Sequence, residues 1–171
     1  MPTVYTIGHS TRSLEEFVEM LKAHGVAGVA DVRRFPGSRR LPQFNADQLS
    51  NSLSGLGMLY LPCPLLGGRR KPDPDSKNTA WRNPSFRAYA DYMQTPQFLE
   101  GLESLMSHAS PTPLAMMCAE AVPWRCHRSL IADALIVRGW EVLDIMSKSK
   151  ATAHKLSEFV TVRDSTITYT G

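Results

Sequence analysis

An α/β fold, a mostly parallel sheet with helices on both faces in a single three-layer domain, is predicted by three observations. Short, almost wholly apolar runs recur along the chain, as in strands buried on both sides. Amphipathic stretches with helix start and stop signals separate them. Strand and helix alternate in order, the pattern that builds parallel sheets.

The first apolar run, Thr3 to Ile7, stops at Gly8. Ser13 opens a helix, with Glu16 completing a capping box and Leu14, Phe17, Val18 and Leu21 on one face. Gly25 supplies the left-handed stop, and Val26 to Val32 reads as the second strand. Asn45 caps a helix to about Leu53, with Gln48 at the capping-box position, and Met58 to Leu61 is a third strand.

Residues 62–83 lack either periodicity and are rich in Pro, Asp and Lys, so they read as a lid or binding loop. Asn83-Pro84 and Thr95-Pro96 each pair an N-cap with proline at the first helical position, predicting helices over 84–93 and 96–108. Leu114 to Cys118 is a buried strand. Leu130, Ile131, Ala134, Leu135 and Val137 give a helix from His127 to Arg138, closed by Gly139, and Trp140 to Ile145 a further strand. Alternation around Asp164-Ser165 suggests a terminal hairpin over 158–169.

With 171 residues and no apolar run of bilayer length, the chain reads as one non-membrane domain spanning 1–171. Its N-terminus enters a strand without a secretory pattern, and three cysteines are too few and odd for a disulfide framework, so a cytoplasmic protein is expected. Net charge of +3 does not by itself argue for nucleic acid. Its distribution says more: nine of the 19 Lys and Arg residues fall in three loop-like segments, at 33–40, 69–71 and 125–128.

Ligands of open parallel sheets bind beyond the C-terminal strand ends. There the chain places Gly8-His9-Ser10, Asp31-Val32-Arg33, Gly67-Gly68-Arg69-Arg70 and Cys118-Ala119-Glu120. His127 and Arg128 open the following helix, whose unpaired N–H groups favour an anion. The anion-binding set is Arg33, Arg70, His127 and Arg128, with Ser10 and Ser38. Cys118 and Cys126, near a helix N-terminus and arginines, are candidate thiolates. His9, Glu120 and Asp31 complete the catalytic candidates. The structural alternatives are a core cysteine at 118, a strand-end histidine bonded to a loop carbonyl at 9, and Asp31 and Glu120 paired with arginines. Cys118, Cys126 and His127, with Cys63 or Glu120, would form a zinc set, although no close Cys-x-x-Cys pair is present.

The order of a strand ending in cysteine, an arginine-containing loop and a helix resembles rhodanese sulfurtransferases and cysteine phosphatases, and Asp31-Val32-Arg33 is also similar to rhodaneses. Arg125 lies one position beyond the phosphatase spacing from Cys118. Thr6-Ile7-Gly8-His9-Ser10, Asp31-Val32-Arg33 with Pro36 and Ser38, and Cys118-Ala119-Glu120 followed by Cys126-His127-Arg128 together resemble the domain of unknown function 488 family. That resemblance implies an α/β domain with a shared pocket, to which Leu66-Gly67-Gly68 also contributes, and no established reaction.

The expected function is therefore an enzyme acting on a phosphate-bearing substrate, a nucleotide or nucleic acid. The alternatives are a non-catalytic nucleic-acid module with Phe35, Phe44 or Trp81 as stacking surfaces, and a zinc-binding domain.

Overall fold

The computed structural model describes residues 2–37 and 40–170. Strand β1 (Thr3–Gly8) leads to helix α1 (Leu14–Ala23), and β2 (Gly28–Asp31) to α2 (Ala46–Gly55) and β3 (Leu59–Pro62). Helices α3 (Pro84–Tyr92) and α4 (Pro96–Ala109) precede β4 (Leu114–Cys118), α5 (Arg128–Val137) and β5 (Glu141–Ser147). Three short strands, β6 (Lys150–Ala153), β7 (Val160–Arg163) and β8 (Thr166–Tyr169), end the chain.

The main sheet has the order β3-β2-β4-β1-β5-β6, with every pair parallel except β5 with β6. This is the α/β class expected, with one antiparallel edge strand added. Residues 150–153 are short and polar, without an apolar run to mark them. The other predicted strands and helices are present with ends shifted by a few residues.

Alternating side chains in the central strands feed two cores. Ala115 and Met117 join Ile7, Phe17, Leu21, Leu49 and Leu53 under α1 and α2. Leu114 and Met116 join Tyr89, Leu102, Leu105, Ile131 and Leu135 under α3, α4 and α5. The helices thus cover both faces of the sheet. The segments after β1 and β4 leave toward opposite faces, α1 on one and α5 on the other. These two strands are neighbours. Such a divergence opens a crevice at the carboxyl ends of the pair.

Local signals explain most boundaries. Ser13 and Glu16 form the predicted capping box, and Gly25 has the left-handed φ of 72° that only glycine adopts freely. Asn83 and Thr95 cap α3 and α4 through their side chains, each with proline following. Asn45 is the N-cap of α2 without a side-chain bond to the first turn. β7 and β8 pair antiparallel around Asp164 and Ser165, both at positive φ, the geometry of a two-residue hairpin turn.

The segment before α3 is anchored at Asn78. The 0%-exposed Asn78 donates from Nδ2 to Asp91 and accepts from the Tyr169 N–H at 2.9 Å, joining this segment to α3 and β8. Among the described residues, no helix is long and apolar enough to cross a membrane.

Candidate active site

Close approach of the β1 and β4 ends sets the floor of the site. The His9 N–H donates to the Cys118 carbonyl at 2.9 Å and the Ser10 N–H to that of Ala119 at 3.0 Å, extending the parallel pairing past the strands. Gly8 allows this: a Cβ there would lie 1.8 Å from the Glu120 carbonyl oxygen. Above the floor is a cleft of about 560 Å³, whose walls include His9, Arg33, Arg34, Phe35, Gly68, Arg69, Tyr89, Cys118, Glu120, Arg125, Cys126 and His127.

Two sulfurs lie at its base. Cys118 Sγ and Cys126 Sγ are 2.7 Å apart, both unbridged and nearly buried, at 3% and 6% exposure. Of the two, Cys126 is favoured as the thiolate and Cys118 as the thiol. The hydrogen bond from Cys118 lowers the Cys126 pKa, and His127 and Arg128 add to this against the cost of burial. Cys118 moves upward, through the same bond and through burial. The Arg128 backbone N–H at the start of α5 also donates to Cys126 Sγ at 3.5 Å. The helix N-terminus is thus directed at a sulfur of the protein itself.

His127 is placed to handle the thiol proton. Its Nε2 is 2.8 Å from the Val32 carbonyl, which only accepts, so Nε2 carries hydrogen. Nδ1 then faces Cys126 Sγ at 3.5 Å. A thiol, an imidazole and a carbonyl that orients it make the arrangement of an activated cysteine nucleophile. His127, expected at the anion, sits beside the sulfur instead. Two adjacent residues, Cys126-His127, were the available signal.

Asp31 is buried away from the cleft and holds Arg33. Arg33 donates from Nε to Asp31 Oδ1 at 2.9 Å and from Nη2 to Oδ2 at 2.8 Å, while the Tyr60 hydroxyl donates to Oδ2 at 2.6 Å. This bidentate pair leaves Nη1, 3.5 Å from His9 Nε2, directed to the cleft side. Asp31→Asn is expected to cost about 3 kcal/mol by stranding a buried guanidinium. Adding Arg33→Met should recover part of that loss. Urea unfolding of the two single variants and the double variant measures both effects.

His9 stacks on the Phe44 ring with centroids 4.4 Å apart. Its Nδ1 donates to the Ser10 carbonyl at 2.8 Å, leaving a lone pair on Nε2. Burial lowers its pKa, with the Arg33 charge acting in the same direction against the Ser10 bond, so the ring is held neutral. Ser10 contributes this carbonyl rather than its hydroxyl.

The remaining candidates divide. Glu120 is exposed and lines the cleft, and its backbone carbonyl accepts from Arg128 Nη2 at 2.9 Å. Arg128 itself is 1% exposed, donates also to Thr6 Oγ1, and acts on the thiols only through space and through its backbone. It shares a helix face with Ile131 and Leu135, a spacing that marks it as inward-facing. Arg70 turns away from the cleft, stacking on Tyr92 at 3.7 Å and bonding the Gly67 and Pro64 carbonyls. Ser38 lies outside the described residues.

Of the expected guanidinium set Arg33, Arg70 and Arg128, only Arg33 lines the cleft. Arg34, Arg69 and Arg125 line it as well. Arg69 and Arg70 diverge because Arg69 has φ of 60°, which breaks any simple alternation between them. The stacking candidates divide too, with Phe35 63% exposed at the mouth, Phe44 buried under His9, and Trp81 packed on Phe86, Phe159 and Tyr169.

Among the described residues, no group of three or more His, Cys, Asp and Glu side chains is arranged to hold a metal ion. Cys63 is no further donor: its thiol bonds the Leu61 carbonyl, and burial beside Asp31 pushes it up to about 12.

A family model described as domain of unknown function DUF488 matches residues 13–135, which include the Asp31-Val32-Arg33 and Cys118-to-Arg128 motifs. Comparisons with curated proteins and with solved structures give no match.

Proposed function

The chain belongs to the domain of unknown function DUF488 family, and we propose that it is a cysteine-dependent enzyme acting on a phosphate-bearing substrate, a nucleotide or a nucleic-acid end. The observation that carries this reading is a Cys126 sulfur paired with His127, under a cleft walled by Arg33, Arg34, Arg69 and Arg125. Several guanidiniums in a concave site suit phosphate oxygens. The aromatic part of the substrate is supported by Phe35, whose exposed ring lies beside the Arg34 and Arg69 guanidiniums at 5.4 and 5.7 Å. A base stacked there would leave its phosphate among the arginines.

In the proposed step, the Cys126 thiolate, whose proton rests on His127 Nδ1, attacks phosphorus, forming an S–P bond as the P–O bond to the leaving oxygen breaks. The leaving oxygen takes the proton from His127. Water then attacks the thiophosphate, giving its proton back through His127 and releasing phosphate and thiolate. A reducing compartment such as the cytoplasm would keep this sulfur available.

The test is a panel of nucleoside monophosphates and short 5′-phosphorylated oligonucleotides, scored for binding and for phosphate release. Expected are release by the wild-type chain, loss of release with retained binding in Cys126→Ser, and binding at least about tenfold weaker in an Arg33→Ala, Arg69→Ala double variant, on the order of 1.4 kcal/mol. Release that survives Cys126→Ser overturns the reading. Binding without release by the wild-type chain, weakening steeply with salt, favours the non-catalytic nucleic-acid module instead.

A further inference from the structure

We propose that Cys118 and Cys126 form a reversible oxidation site, in which a hydroperoxide oxidises Cys126 and Cys118 resolves the product as an intramolecular disulfide. The inference shares with the proposed function the assignment of Cys126 as the reactive sulfur, but needs neither a phosphate substrate nor the arginines.

Three features carry it. The sulfurs are 2.7 Å apart, so a disulfide bond of about 2.05 Å requires an approach of less than about 1 Å. Cys118 and Cys126 both contribute to the cleft wall, so the cleft is the side from which a small oxidant approaches them. Cys118 ends β4, whereas Cys126 has extended backbone angles just before α5, at the end of a loop that includes a short 3-10 turn at Pro123–Arg125. The closing movement therefore falls on that loop. The third cysteine, Cys63, is bonded to the Leu61 carbonyl and is absent from the cleft wall, so it does not compete.

The chemistry balances in two steps. The Cys126 thiolate attacks the distal peroxide oxygen, and the O–O bond breaks. This forms the sulfenic acid and, with a proton from water, an alcohol or a second water. The Cys118 thiol then attacks the sulfenic sulfur, forming the S–S bond. Hydroxide leaves with the Cys118 proton as water. Cysteine is oxidised by two electrons and the peroxide is reduced by two. A dithiol reductant reverses the bridge by exchange. Without a neighbouring thiol, the sulfenic acid would be open to further, irreversible oxidation. Cys118 thereby protects the nucleophile.

The experiment treats the full-length chain with one equivalent of hydrogen peroxide, then alkylates it under denaturing conditions. The expected wild-type product is lighter by two hydrogens, about 2 Da, before alkylation, and carries the alkyl group on Cys63 alone. Trypsin cleaves after Arg125 and Arg128, so a non-reduced digest should join the peptide ending at Arg125 to the tripeptide Cys126-His127-Arg128. Dithiothreitol should separate them. Cys118→Ser should instead gain oxygen on Cys126 that dimedone captures. A wild-type chain that gains oxygen on Cys126 without the crosslink, or that bridges through Cys63 or between chains, overturns the proposal. The wild-type digest decides this even if Cys118→Ser fails to fold. No phosphate ligand enters the experiment, so its failure is distinct from that of the phosphate reading.

Discussion

Iodoacetamide is expected to label Cys126 at about pH 6 on the order of 10²-fold faster than an ordinary cysteine thiol, whose pKa near 8.5 leaves little thiolate there. Alkylation follows the thiolate, so a depressed pKa carries the acid limb of the rate profile to lower pH. Cys118→Ala removes the strongest stabilising partner of that thiolate and should move the limb back toward higher pH. Cys63 and Cys118, both pushed upward, should label only under alkaline conditions. Mass mapping of the alkylated chain across pH checks each part. A profile centred on the ordinary thiol value, or first labelling at Cys118, contradicts the assignment.

Gly8→Ala should destabilise the fold by about 3 kcal/mol or more, the largest stability effect expected of a single methyl group here. Its Cβ would meet the Glu120 carbonyl oxygen at 1.8 Å and that residue's carbonyl carbon at 2.6 Å, and backbone on both sides resists displacement. The loop after β4 would move, and with it the Glu120 carbonyl that receives Arg128. Gly55→Ala is the control, because its Cβ meets nothing within 4 Å in the last turn of α2. It should be neutral or stabilising by up to about 1 kcal/mol. Urea unfolding of both variants compares them directly. Equal effects would mean that the β1–β4 approach is looser than the geometry implies.

The parts of the fold legible in sequence are those with local physical causes. Capping pairs, helix-stopping glycines and proline at the first helical position announced α1, α3 and α4, and unbroken apolar runs announced β1, β2 and β4. β6 carries four residues, Lys150–Ala153, held mainly by backbone bonds to β5, so its sequence offers little. Sheet topology explains why polar strand ends gather at one edge, and that gathering could be read without coordinates. Side-chain direction within irregular loops could not. Arg69 and Arg70 are neighbours with opposite fates, and Asp31 reaches Arg33 two residues on rather than the cleft. The Cys118–Cys126 approach depends on how the loop between them folds back, through a turn at Pro123–Arg125 that no periodicity signals.

The helix N-terminus expected to hold an external anion is directed at Cys126 instead, and Arg33, Arg34, Arg69 and Arg125 line the cleft. Arg128, expected at the ligand, lies beneath the thiols as a buried charge. On the proposed reading, nucleophile and phosphate then have separate positions.

If a reactive Cys126 and a phosphate position share one cleft, as proposed, inorganic phosphate added at constant ionic strength should slow the iodoacetamide labelling of Cys126 saturably, and Arg33→Ala with Arg69→Ala should abolish the slowing. An alkylation rate independent of phosphate, with Cys126 reacting as a thiolate throughout, would contradict the proposal.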